Sequence, residues 1–288
     1  MHPATLVRVA ALFLIFVASA ASSAVGPDTK VLRVCADPNN PPLSDRSGGG
    51  YENRIAELIG HDLGLPVEYE WLPQRMGFIR NTLKASDGHG GFKCDLVIGV
   101  PADFELTANT RPYLHSSWVM VFADRPEFAE IRNADDVLKL PAEVLSKLRF
   151  GAFTHTQPLD WVFKHELFDQ TVAYQTLSGD PDEFPGRMVA DDLAAGKIDV
   201  AMVWGPIGGY FAKQSRTPLR MVNFTSTPQL KFDYLLSFGV RQPDKEWRDK
   251  LDGIIARHQA DIDRILRDYG VPLLELPPPA QTVAGVKP

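Results

Sequence analysis

The chain has 288 residues, enough for one large domain or two lobes, and at 44% hydrophobic and 23% charged it has the composition of a folded globular protein. Its 30 Lys and Arg against 36 Asp and Glu leave a net charge of −6, which repels a phosphate backbone and argues against nucleic acid as a partner. The 22 Gly and 23 Pro follow no fixed period, which excludes collagen-like and repeat architectures and points to many short elements.

The chain begins with Arg8 ahead of an apolar run, Val9 to Ala18, and a Ser- and Ala-rich exit. That order is a secretory signal peptide, residues 1–24, with cleavage after Ala24 or after Ala20. The run is too short for a hydrocarbon core, which needs about 20 residues, so no membrane span is expected and the mature protein should be exported and soluble. Val31 to Ala36 then reads as a buried strand, halted by Asp37-Pro-Asn-Asn-Pro-Pro42. Ile55, Leu58, Ile59 and Leu63 recur at helical spacing from Tyr51, and Gly64 is a suitable stop. Val67 to Trp71 alternates like a strand, 74–85 can form a second helix, and Asp95 to Val100 is a third strand. The order is β-α-β-α-β, the pattern of a parallel sheet with right-handed crossovers.

A second such unit follows. Strands are expected at 118–122, 149–153, 172–177 and 199–204, with helical stretches at 135–148, 161–167 and 187–195. Asp233 to Arg241 looks like a strand returning to the first unit. Asp244 to Tyr269 makes a long amphipathic helix with Trp247, Leu251, Ile254, Ile255, Ile262 and Leu266 on its apolar side. The expected fold is α/β with two hinged lobes, each a mostly parallel sheet flanked by helices. Lobe 1 takes residues 30–117 and 233–275, lobe 2 takes 118–232, and 276–288 is a Pro-rich tail.

Ligands of open parallel sheets bind beyond the carboxyl ends of the strands. Those ends supply Asp37, Asn39 and Asn40, then Pro101 and Asp103, then Thr154, His155 and Thr156, and last Trp204. Cys35 and Cys94 lie on or beside strands of one sheet, as one disulfide or as two buried thiols. In an oxidising compartment a bridge would contribute roughly 4 kcal/mol in the chain-entropy model.

Catalytic signatures are missing from the sequence. There is no Gly-x-Ser-x-Gly elbow, no phosphate loop, no His-Glu-x-x-His and no Cys-x-x-Cys. Asp180, Asp182 and Glu183 surround Pro181 but lack the Gly and later Glu of a calcium loop, so no metal site is assigned.

Leu32-Arg-Val-Cys-Ala-Asp37, Tyr51-Glu-Asn-Arg-Ile-Ala-Glu-Leu-Ile-Gly60, Cys94-Asp-Leu-Val-Ile-Gly-Val100 and Leu193-Ala-Ala-Gly-Lys-Ile-Asp-Val-Ala201, in that order, resemble family-3 solute-binding proteins of the type II periplasmic-binding fold. Amino-acid receptors of that family hold the substrate carboxylate with an Arg beyond the third strand and its ammonium with an Asp in the second lobe. Here Asp103-Phe-Glu-Leu-Thr107 supplies no Arg, and Trp204 stands at the acidic position. Arg75 or Arg111 would have to substitute.

A narrower likeness lies in Cys35-Ala-Asp-Pro-Asn-Asn-Pro-Pro42, Pro73-Gln-Arg-Met-Gly-Phe78, Thr110-Arg-Pro-Tyr113 and Val203-Trp-Gly-Pro-Ile-Gly-Gly-Tyr-Phe-Ala212. These resemble the MoxJ/XoxJ group, periplasmic binding-protein-like products associated with PQQ-dependent methanol dehydrogenases. The resemblance implies a non-enzymatic periplasmic accessory with no cofactor of its own and the dehydrogenase as its partner. A cleft with Trp204, Tyr210 and Phe211 would suit an apolar side chain or segment. The alternatives are a receptor passing a small solute to an ABC permease and, more remotely, a hydrolase on the same scaffold.

Overall fold

A computed structural model describes residues 30–176 and 184–278. The expected leader, the acidic group Asp180, Asp182 and Glu183, and residues 279–288 of the tail lie outside the described residues.

The first lobe begins with β1 (Leu32–Ala36), the short hairpin β2 (Asn39–Asn40) and β3 (Ser44–Asp45), then α1 (Tyr51–Leu63) and β4 (Val67–Trp71). It continues through α2 (Phe78–Asn81), β5 (Leu96–Pro101) and β6 (Ala108–Asn109) into the long strand β7 (Leu114–Ala123). The second lobe contributes α3 (Ala142–Leu145), β8 (Phe150–Phe153), α4 (Gln157–Lys164), β9 (Thr171–Tyr174), α5 (Pro185–Ala194), β10 (Val200–Trp204), α6 (Gly205–Gln214) and β11 (Leu219–Asn223). The chain then returns as β12 (Asp233–Val240) and ends in α7 (Lys245–Asp268).

The strands join in the order β4-β1-β5-β12-β7-β10-β8-β9, with β11 on β7 and β6 on β12. The outer groups β4-β1-β5 and β10-β8-β9 are parallel. The middle is antiparallel, where β12 pairs with β5 and β7, and β7 pairs with β10. β1, β8 and β10 are almost wholly buried, which is why they read as continuous apolar runs. Residues 114–117 of β7 pair with β12 and residues 119–123 with β11, so one strand crosses from lobe to lobe.

One core gathers Leu32, Ile55, Ile59, Leu96, Phe238 and the apolar stripe of α7. Two others cover opposite faces of the second sheet, one around Phe122, Phe150 and Met202, the other around Val121, Ile198 and Val203. Cys35 and Cys94 are bonded, with Cα atoms 5.5 Å apart and 59 residues between them in sequence. Arg241, also buried, contacts Asp95 at 3.2 Å and Asp244 at 2.7 Å.

Several expected helices are shorter or displaced. The 74–85 helix narrows to α2, because Gly77 takes a left-handed φ of 86° just before it. The 135–148 helix is a 3-10 turn over Ala134–Lys139 followed by α3, broken where Pro141 denies the backbone a donor. The 161–167 stretch starts earlier, at Gln157, with Pro158 in its first turn.

The end of α7 is strapped to the second lobe. Ser116 Oγ donates to the Pro272 carbonyl at 2.8 Å, Leu274 N to the His115 carbonyl at 2.9 Å, and Lys213 Nζ to the Asp268 carbonyl at 2.7 Å. Tyr269 stacks on Tyr210 of α6, ring centroids 6.3 Å apart.

Candidate interlobe binding site

Asp37 follows β1 directly and its carboxylate is built into the wall. It accepts from Asn39 N at 2.8 Å and from Gln74 N at 2.6 Å, fixing the loop after β1 against the loop after β4. Asn39 and Asn40 form β2, held in register by Asp45 and Ser44. With Pro73 and Arg75 these residues make the first-lobe wall of a hollow of about 180 Å³.

The opposite wall is Trp118, Phe153, Thr176 and Trp204, completed by Phe184, Pro185, Gly186 and Ile207 at the start of α5 and α6. Among the described residues this wall carries no ionisable side chain. Trp204 ends β10 and faces Trp118 across the antiparallel pair, the rings meeting edge-on with centroids 6.0 Å apart. Tyr234 approaches Trp204 from β12 in the same manner, at 6.0 Å. Edge-to-face aromatic pairs at such distances contribute about 0.5–1.5 kcal/mol beyond their buried area.

The structure thus brings Asp37, Asn39, Asn40, Arg75 and Trp204 to one cavity. It also corrects the expectation of a cleft without ionic anchors, because Asp37 and Arg75 both line it, on the same wall. The other candidates do not line this cavity. Pro101 ends β5 on the surface, and Asp103 borders a separate hollow beside His115, Asp233 and Tyr234. Thr156 is buried with Oγ1 donating to the Phe153 carbonyl at 2.7 Å, and the Thr154 carbonyl accepts from Thr176 Oγ1 at 2.6 Å. These bonds turn 154–156 back on β8. His155 takes the left-handed φ of 59° that the turn requires and is exposed. Tyr210 and Phe211 also stay out of the cavity, packed in a row with Tyr269 and Phe184.

The residues the sequence reading missed are mainly Trp118, Phe153 and Phe184. Trp118 was recognisable as a strand residue; its place opposite Trp204 follows only from the β7–β10 register.

Behind the first-lobe wall, Glu52 at the start of α1 is buried, and its Oε1 has no hydrogen-bond partner. Burial, reinforced by the negative charge of Asp37, pushes its carboxyl up to about 8. At neutral pH the Asp37–Glu52 pair therefore carries one charge instead of two. The hydroxyls of Tyr51 and Tyr113 are likewise buried without partners, and burial holds both phenols protonated.

Among the described residues no group of three or more His, Cys, Asp or Glu could hold a metal ion, and no helix is long and apolar enough to cross a membrane.

No family model matches the chain. Protein MoxJ of Methylorubrum extorquens is 29% identical over 275 residues, covering 89% of this chain and 86% of that protein. Protein MoxJ of Paracoccus denitrificans is 27% identical over 263 residues, 86% of this chain and 90% of that protein. Among solved structures, the periplasmic binding protein XoxJ from Methylobacterium extorquens AM1 superposes with a TM-score of 0.67 at 35% identity, covering 85% of this chain and all of that one.

Proposed function

The chain belongs to the MoxJ/XoxJ family of periplasmic binding proteins, and from that premise we propose that it is a non-enzymatic periplasmic accessory of a PQQ-dependent methanol dehydrogenase. In this reading residues 1–24 are its export leader, and the two lobes, 30–117 with 233–275 and 118–232, hold part of the dehydrogenase between them during maturation or activation. The observation that carries the reading is the asymmetry of the interlobe cavity. Its second-lobe wall is aromatic and uncharged among the described residues, and its 180 Å³ is below the ~300–1,000 Å³ of ordinary small-molecule sites. A side chain or short apolar segment presented by a protein partner fits such a space. Trp118 and Trp204 would supply the desolvated anchor, with Asp37, Asn39, Asn40 and Arg75 as its polar rim.

A second reading rests on Asp37 and Arg75, whose opposite charges in one cavity would suit a small zwitterionic solute destined for an ABC permease. The two readings separate in one experiment. The purified protein is mixed with the dehydrogenase of the same source and followed by size-exclusion chromatography, while thermal melting is recorded with a panel of amino acids. Co-elution that Trp204→Ala weakens at least tenfold (about 1.4 kcal/mol) supports the accessory role. A melting shift with an amino acid and no co-elution replaces it with the receptor.

A further inference from the structure

The second lobe contains a larger hollow than the cleft. Between α5 and α6, over the sheet face made by β7 and β10, lies a groove of about 580 Å³, within the range of small-molecule sites. Val121, Ala201 and Val203 form its floor, and Val189, Leu193 and Phe211 stand in its walls. Small residues create the space. A Cβ on Gly208 would come within 2.8 Å of Val119 and 2.9 Å of Val203, so glycine lets α6 settle onto the sheet. α5 faces the gap with Ala190 and Ala194, side chains too short to fill it.

The mouth is charged. Arg187 on α5 and Arg216 just beyond α6 both line the groove and are exposed, and neither forms an ion pair or a side-chain hydrogen bond with another described residue. Of the other charges lining it, Arg125 and Asp199 are paired at 3.8 Å, and Asp199 is further neutralised by Arg149 at 3.1 Å. Asp191 is the remaining carboxylate, so the mouth holds two guanidinium groups against one acid.

We propose that this groove binds a linear aliphatic carboxylate, its chain along Val121, Val203 and Leu193 and its head between Arg187 and Arg216. An unbranched chain matches a narrow apolar slot lined by small residues, and a planar carboxylate matches guanidinium forks. The site is separate from the dehydrogenase reading and stands or falls without it.

Isothermal titration of the purified protein with hexanoate, octanoate, decanoate, decanol and decyltrimethylammonium tests the proposal. The carboxylates should tighten about fourfold per methylene buried. Decanol and the ammonium compound should bind at least tenfold more weakly than decanoate. The double variant Arg187→Glu/Arg216→Glu, at exposed positions, should lose at least tenfold for decanoate with its melting temperature kept. Raised salt, a test needing no variant, should weaken decanoate and leave decanol unchanged. Absence of decanoate binding at millimolar concentration, or decanol binding as tightly as decanoate, overturns the proposal. So does decanoate affinity that ignores both salt and the arginine substitutions.

Discussion

Glu52 shows how a single side chain couples the core to the cleft. In the unfolded chain its carboxyl titrates near its ordinary 4.5, whereas burial in the folded protein raises it to about 8. The proton it holds is thus a stabilising contribution that is complete below the lower value. It declines by about 1.4 kcal/mol per pH unit as the unfolded chain ionises, and is gone once the folded carboxyl ionises too. Asp62, Asp136 and Asp192, held low by ion-pair partners, act in the opposite direction at more acid pH, so the difference between two proteins isolates Glu52. Between about pH 5 and pH 8, urea unfolding of the wild type should lose stability more steeply than that of Glu52→Gln, whose amide cannot ionise. Parallel pH profiles for the two would show that Glu52 ionises freely in the fold.

At the scale of elements, α6 separates what the sequence reveals from what packing decides. Its run Gly205-Pro-Ile-Gly-Gly-Tyr210 contains three residues that each cost about 1 kcal/mol relative to Ala in a helix, so local propensity hides it. The helix forms because those glycines permit contact. A Cβ on Gly209 would fall 1.8 Å from the Gly270 carbonyl oxygen, and one on Gly205 would fall 2.5 Å from that of Ser117. Gly209→Ala should therefore destabilise the protein by about 1–3 kcal/mol despite its better helix propensity. Gly253→Ala on α7, where only the mobile tip of Arg257 approaches, at 3.3 Å, should stabilise it by about 0.5–1 kcal/mol. Urea denaturation of the two variants reads both signs, and equal effects would refute the contact argument. The buried strands and α7 were legible because burial writes itself as apolar runs and helical stripes. Trp204 was legible as a strand end. Its partner Trp118 was not, since antiparallel register leaves no local signal, and the turn at 154–156 was misplaced because its own hydrogen bonds fold it away from the cleft.

For the whole molecule, the Cys35–Cys94 bond lies entirely within the first lobe, joining β1 to the chain just before β5. Replacing both cysteines by alanine should cost roughly 4 kcal/mol in the chain-entropy model, measured by urea unfolding against the oxidised wild type. A cost below about 1 kcal/mol would mean that the unfolded chain gains little freedom from cutting the loop. The second lobe has no cysteine and should keep its native fluorescence from Trp118, Trp161 and Trp204 at urea concentrations that already disturb the first. What joins the halves is β7, ladder-bonded to one lobe along its first residues and to the other along the rest. Such a member works as a torsion bar: it resists shear and extension but yields to twist, so a load on the tryptophans would be passed toward His115 as rotation, with no rung of the ladder giving way.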